Sequence, residues 1–239
     1  MRIFLAGASG VIGRRLAVLL RDAKHDVTGT TRTPAKIPML RALGIAPVVV
    51  DVFDADALAQ AVAAARPDIV IHQLTDLPSA PGTPGYAAAQ QANRALRIEG
   101  TRNLMRAADL AGVRRAVGQS IAFVYAPGEG ARVEDYPLDL AAEGVRQLTV
   151  QGIAALEREV LTTPEIDGVV LRYGYLYGPD TWYDAPPKPP SVHVDAAAHA
   201  ALLALSQGAG VYNVAEDDGA VSVAKAKHEL GFDPAFRMA

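Results

Sequence analysis

The stretch RIFLAGASGVIGRRLAVLLRDA, residues 2–23, decides the fold. RIFLAG (2–7) is a short apolar run of strand length, and VIGRRLAVLLRDA (11–23) places its apolar residues at helical spacing. Between them Gly7, Gly10 and Gly13 recur at intervals of three. In a strand–turn–helix context these glycines have separate physical tasks. Gly7 permits the tight turn, Gly10 lets backbone approach a bulky anion, and Gly13 lets the helix pack closely on the strand. The helix end that follows offers N–H groups and a partial positive charge suited to a pyrophosphate. The stretch therefore reads as a dinucleotide site built from Gly7, Ser9, Gly10, Val11, Ile12 and Gly13.

The same alternation continues outward. HDVTGTTR (25–32) reads as a second strand, PAKIPMLRALG as a helix stopped by Gly44, and IAPVVVD (45–51) as a third strand. DADALAQAVAAAR (54–66) reads as a helix capped by Asp54, and PDIVIHQL (67–74) as a fourth strand. A long helix spans about Pro84 to Ala111, followed by a fifth strand, VRRAVGQS, a helix at 141–162 and a sixth strand, GVVLRYG (168–174). Strands apolar throughout, alternating with helices, call for a parallel sheet covered on both faces. Right-handed crossovers make that α/β sheet doubly wound. After Gly174 the pattern loosens into a proline- and aromatic-rich loop, a short extended piece with a helix at VHVDAAAHAALLALSQG, a strand at VYNVA and a closing helix at VSVAKAKHELGF. No linker separates domains, so 1–239 is expected to be a single domain. Residues 174–239 are then a short substrate-side segment rather than an independent unit.

Composition narrows the function classes. Half of the 239 residues are hydrophobic and the formal net charge is −3. Phosphate-backbone binding needs a concentrated basic surface, so nucleic acid is not the expected partner. With no cysteine, disulfides and thiolate metal sites are excluded, and no metal is expected. The N-terminus lacks a cationic segment followed by a long apolar one, and no apolar run reaches the roughly twenty residues of a membrane span. A soluble, cytoplasmic protein is expected.

Two positions refine the cofactor. Dinucleotide binders that use NAD usually carry a carboxylate after the second strand for the ribose hydroxyls. Here that place holds Thr30-Thr31-Arg32, and Arg32 suits a 2′-phosphate, which points to NADP with NAD as the alternative. A solvated strand-end arginine is the plainer reading. Asp51 and Val52 stand where a carboxylate can accept from an adenine amine and a valine can cover the ring.

These residues resemble the NAD-dependent epimerase/dehydratase group of the extended short-chain dehydrogenase/reductase superfamily. The likeness runs from Met1 to about Gly178, with weaker echoes to Phe232. It rests on GASGVIG (7–13), the Asp51-Val52 pair, EGTRNLMRAA (99–108), QSIAFVYAPG (119–128) and LRYGYLYGPD (171–180). VHVD (192–195), YNVAEDD (212–218) and AKAKHELGF add to it. The resemblance implies a Rossmann fold, oxidoreductase or epimerase chemistry on a small molecule, and a homodimer pairing the helices at 84–111 and 141–162. For that dimer Val150, Ile153, Ala154, Leu156 and Val160 offer apolar surface.

It also implies catalytic positions. Ser120, ending strand five, would hold a substrate oxygen. A tyrosine four residues before a lysine would move the proton, but alignment on Glu157 puts Thr149 and Ile153 at those places. Neither can ionise usefully near neutral pH. Tyr125, in the turn after strand five, and Tyr173, where relatives commonly have proline near the nicotinamide, are the substitute candidates. Tyr173, Tyr175 and Tyr177 would share one face if the strand continues. The insertions that build a nucleotide-sugar lid are reduced to TWYDAPPKPPS and AEDDGAV, so the C-terminal substrate-binding region is much reduced. The sequence thus supports an NAD(P)-dependent oxidoreductase or epimerase-like enzyme lacking the Tyr-x-x-x-Lys pair. The alternative is a non-catalytic NADP sensor.

Overall fold

The computed structural model describes residues 1–77 and 82–238. The chain begins with β1 (Arg2–Ala6), α1 (Val11–Asp22), β2 (Asp26–Thr31), α2 (Ile37–Ala42), β3 (Ala46–Val49), α3 (Ala55–Ala65) and β4 (Ile69–His72). It continues through α4 (Tyr86–Ala95), a π-helical turn (Leu96–Gly100), α5 (Thr101–Leu110), β5 (Arg115–Ile121), α6 (Gly144–Thr162) and β6 (Asp167–Tyr173). The last elements are β7 (Tyr175–Tyr177), β8 (Ser191–His193), α7 (Val194–Leu203), β9 (Gly210–Val214) and a π-helical turn at Ala226–Leu230.

Seven strands form one parallel sheet in the order β3-β2-β1-β4-β5-β6-β9. The order reverses between β1 and β4, which places a crevice at their carboxyl ends. Successive residues of each central strand divide between two cores. Ile3, Leu5, Ile71, Val117, Val169 and Leu171 pack with Leu16 and Leu20 of α1 and the alanines of α7. Phe4, Val70, Ala116 and Val170 pack with Leu58 and Val62 of α3, Leu104 and Met105 of α5, and Leu156 and Val160 of α6. Such two-sided burial is why the strands read as apolar runs without polar alternation.

Several expectations are revised. The long helix starts at Tyr86 and carries a π-helical turn, so α4 and α5 differ in which side chains they turn inward. The closing helix shortens to its π-helical turn. β9, from the segment after Gly174, is the seventh strand of the main sheet. β6 does not continue past Tyr173: Gly174 passes so close to the Ser191 backbone that a Cβ would lie 2.7 Å from its carbonyl carbon. β7 then pairs with β8 in a separate two-stranded sheet. Tyr173, Tyr175 and Tyr177 therefore do not share a face. Val150, Ile153, Leu156 and Val160 are buried inside this one chain, so they are not the apolar dimer surface expected of α6.

Candidate functional site

The site starts at the break between β1 and α1. Gly7 turns the chain at φ 88°, and a Cβ there would lie 2.5 Å from the Gln73 carbonyl oxygen. A Cβ on Gly13 would lie 2.1 Å from the Gly7 carbonyl oxygen, so only glycine lets the first turn of α1 rest on the loop. Gly10 precedes α1 in extended conformation, and no side chain caps the helix. Its first-turn N–H groups are left for an outside acceptor, and the helix dipole favours an anion. These features fit a dinucleotide pyrophosphate.

A cleft of about 210 Å³ opens above this turn. Gly7, Ser9 and Gly10 line its floor, Arg32, Asp51 and Val52 one side, and Gln73 and Leu74 the side after β4. Val11, Ile12 and Gly13 are not in its lining: Ile12 belongs to the core, Val11 packs against it, and Gly13 serves the close packing of the turn. The two threonines ending β2 hold the glycine loop. Thr30 Oγ1 accepts from the Gly7 N–H at 3.1 Å, and Ser9 Oγ meets Thr31 Oγ1 at 3.3 Å. Arg32 is half exposed and paired with Asp76 at 2.7 Å. Asp51 accepts from the Phe53 N–H at 3.0 Å, while Asp54 caps α3 by accepting from Ala57 at 3.0 Å. Lys36 also lines the cleft. The sequence reading passed over it, although it stands four residues after Arg32 in a basic segment.

The candidate catalytic residues are distributed differently. Ser120 is 2% exposed and donates to Glu157 Oε1 at 2.6 Å. Arg172 grips the same carboxylate with Nε at 2.8 Å and Nη2 at 2.6 Å, and its Nη1 donates to the Tyr125 hydroxyl at 2.8 Å. Tyr125 in turn donates to Asn213 Oδ1 at 2.6 Å. Burial works against the Arg172 charge, but Glu157 outweighs it and holds the guanidinium above its ordinary range. Burial also pushes the Tyr125 phenol up, against the pull of Arg172. Ser120 and Tyr125 are thus joined through Glu157 and Arg172, and neither lines the cofactor cleft. Tyr125 instead borders a shallower hollow of about 330 Å³ with Arg132 and Arg146. Those guanidinium groups are already engaged by backbone carbonyls and by Asp139.

Tyr173 lies apart from that chain. It is buried, accepts from Gln73 Nε2 at 3.3 Å, and is pushed well above the usual tyrosine range by burial. Thr149 donates to Gln90 Oε1 at 2.9 Å, and Ile153 packs on Val124, Ala142 and Val150. His72, ending β4, shares a hydrogen bond of 2.9 Å with Thr101, and burial lowers it to about 4, so it is neutral near pH 7.

A glycine turn, an uncapped helix end and a cleft at the strand-order reversal define a dinucleotide-binding protein of the doubly wound class. The chain belongs to the NAD(P)H-binding family, whose model matches residues 7–187. A 3-diazoavenalumate denitrifying reductase from a Streptomyces species is 40% identical over 242 residues, covering 92% of this chain and 77% of that protein. Among solved structures, the UDP-glucose 4-epimerase of Thermotoga maritima superposes with a TM-score of 0.79 at 16% identity, covering 99% of this chain and 94% of that one. An NAD-bound short-chain dehydrogenase/reductase superfamily protein of Agrobacterium tumefaciens gives 0.76 at 20% identity, with 98% and 93% covered. The fold is that of the NAD-dependent epimerase/dehydratase group. Among the described residues no helix is long and apolar enough to cross a membrane.

Proposed function

We propose that this protein is an NADPH-dependent reductase whose substrate needs a hydride but no proton from the protein, an aryl diazonium being the class. The observation that carries this reading is the set of side chains at the usual proton-relay positions. Thr149 and Ile153 cannot ionise usefully, and burial pushes Tyr125 and Tyr173 up. Carbonyl reduction requires hydride and proton together, so it is poorly served here. Diazonium reduction balances without the proton. Hydride adds to the terminal nitrogen and gives an aryl diazene, which then loses dinitrogen. The C–N bond breaks, and the diazene hydrogen ends on the ring carbon. The similarity to a reductase named for a diazo substrate and for denitrification supports the same class.

Bound NADPH would supply the hydride. The chain's own part is to hold and exclude: Gly7, Ser9 and Gly10 with the α1 terminus for the pyrophosphate, Asp51 and Val52 for the adenine. Arg32 and Lys36 would meet the 2′-phosphate once Arg32 leaves Asp76. Gln73 and the buried Tyr173 close the floor beside the reacting ring. Ser120 and Tyr125 hold the sheet edge in shape. A cytoplasmic homodimer through the helices at 84–111 (α4 and α5) and 141–162 (α6) is the assembly that goes with this reading.

The test is reduction of a hydroxycinnamate diazonium with NADPH deuterated at the nicotinamide C4. Deuterium on the ring carbon with dinitrogen release is expected. Tight NADPH binding without any transfer would favour the sensor reading instead.

A further inference from the structure

Three largely buried side chains near the carboxyl end of β4 carry polar groups without a hydrogen-bond partner among the described residues. Arg97, in the π-helical turn after α4, is 4% exposed. Its charge is opposed by burial, which lowers it to about 10, with Tyr86 acting the other way. It has neither a hydrogen bond nor an ion pair among the described residues. Asn93, one turn earlier, accepts from the Asp76 N–H at 3.0 Å through Oδ1 but leaves its Nδ2 unpaired. Gln73 donates to Tyr173 and leaves Oε1 unpaired. A buried cation without a counter-charge is costly, and a fold keeps one where a ligand supplies the charge.

The surroundings say where that ligand sits. The Arg97 stem lies over α6, where a Cβ on Gly152 would come 3.2 Å from its Cδ. Arg97 therefore packs on α6 one residue before Ile153, which itself is turned into the cluster with Val124, Ala142 and Val150. Its charge reaches His72, which ends β4 next to Gln73. A π-helical turn re-aims side chains and recurs at functional sites. Arg97 does not line the cofactor cleft, whereas Leu96 and Gln73 do. Tyr86, which feels Arg97, also feels Tyr175, Tyr183 and Lys188. Tyr175 stacks on Phe123 with ring centroids 4.0 Å apart.

We infer that Arg97, with the unpaired Asn93 Nδ2 one turn before it, is the recognition site for a carboxylate on an aromatic substrate. The carboxylate takes the guanidinium fork and the Asn93 amide. This deepens the reductase reading and rests on it for the aromatic ring, although anion recognition at Arg97 stands on the geometry alone.

The test uses the NADP⁺-loaded protein and calorimetry with para-hydroxycinnamate and its methyl ester. The wild type should bind the acid at least tenfold more tightly than the ester. Arg97→Met should abolish that preference without changing ester or NADP⁺ affinity, and Arg97→Lys should retain part of it. Because Arg97→Met removes an uncompensated cation, its Tm without ligand should rise. Equal binding of acid and ester by the wild type would overturn the proposal, as would a loss of NADP⁺ affinity in Arg97→Met. An Arg97-dependent acid preference with no diazonium reduction would remove the reductase reading and leave this one standing. Reduction that is indifferent to Arg97→Met would do the reverse.

Discussion

Two buried polar regions flank the carboxyl edge of the sheet, and they differ in one respect. Ser120, Glu157, Arg172, Tyr125 and Asn213 form a chain in which each group has a partner. Gln73, Asn93 and Arg97 keep unpaired donors, an acceptor and a charge. The first region satisfies its own hydrogen bonds without a ligand. The second leaves polar needs unmet, which on the proposal above a substrate carboxylate would satisfy. The difference teaches that residue type at a familiar position is weaker evidence of chemistry than an unmet hydrogen-bonding need.

The largest effect that would break the comparison lies in the complete region. Glu157→Ala strands the Arg172 charge and should cost about 3–5 kcal/mol in urea unfolding. A loss below ~1 kcal/mol would mean that the network is not holding the fold.

His72, between the two regions, comes next. Its folded value is depressed from 6.5 to about 4. Between those values the unfolded chain takes up a proton that the folded one refuses. Stability should therefore fall as pH drops from 6.5 toward 4, by about 3 kcal/mol. His72→Gln should flatten that slope; an unchanged slope would assign it to other groups.

Arg32 sharpens the comparison at the cofactor end, because its partner Asp76 is also held by Asn93. NADP should bind about tenfold more tightly than NAD, ~1.4 kcal/mol, and Arg32→Glu should reverse the order. Equal affinities in the wild type would take Arg32 out of recognition.

The smallest effect is at Ser120. Ser120→Ala leaves Glu157 with both Arg172 bonds and should cost about 1 kcal/mol, with hydride transfer retained. Transfer abolished at unchanged stability would return Ser120 to the reacting centre and dissolve the contrast between the two regions.

Much of the site was legible because its parts are local. Gly7, Ser9 and Gly10 line the cleft as read, with Arg32, Asp51 and Val52 beside them. That the helix at α6 carries neither tyrosine nor lysine was legible in its residues. The destination of the Ser120 hydroxyl was not, because Glu157 and Arg172 lie 37 and 15 residues further along in their respective pairings. Arg97 was invisible for the same reason: inside EGT-type helical sequence an arginine reads as solvated. Only packing against Gly152 and the π-helical turn shows that it is buried. The break after Tyr173 likewise depended on how close Gly174 comes to residue 191.

By itself, the sequence determined the doubly wound order of elements, the glycine turn and the lack of tyrosine and lysine on α6. Each of these follows from side-chain size, periodicity or titration within a few residues. Only the tertiary structure decided which buried polar groups satisfy one another and which stay unmet. Partners in a parallel sheet are brought together across crossovers, so whether a charge is neutralised depends on contacts that no local spacing records.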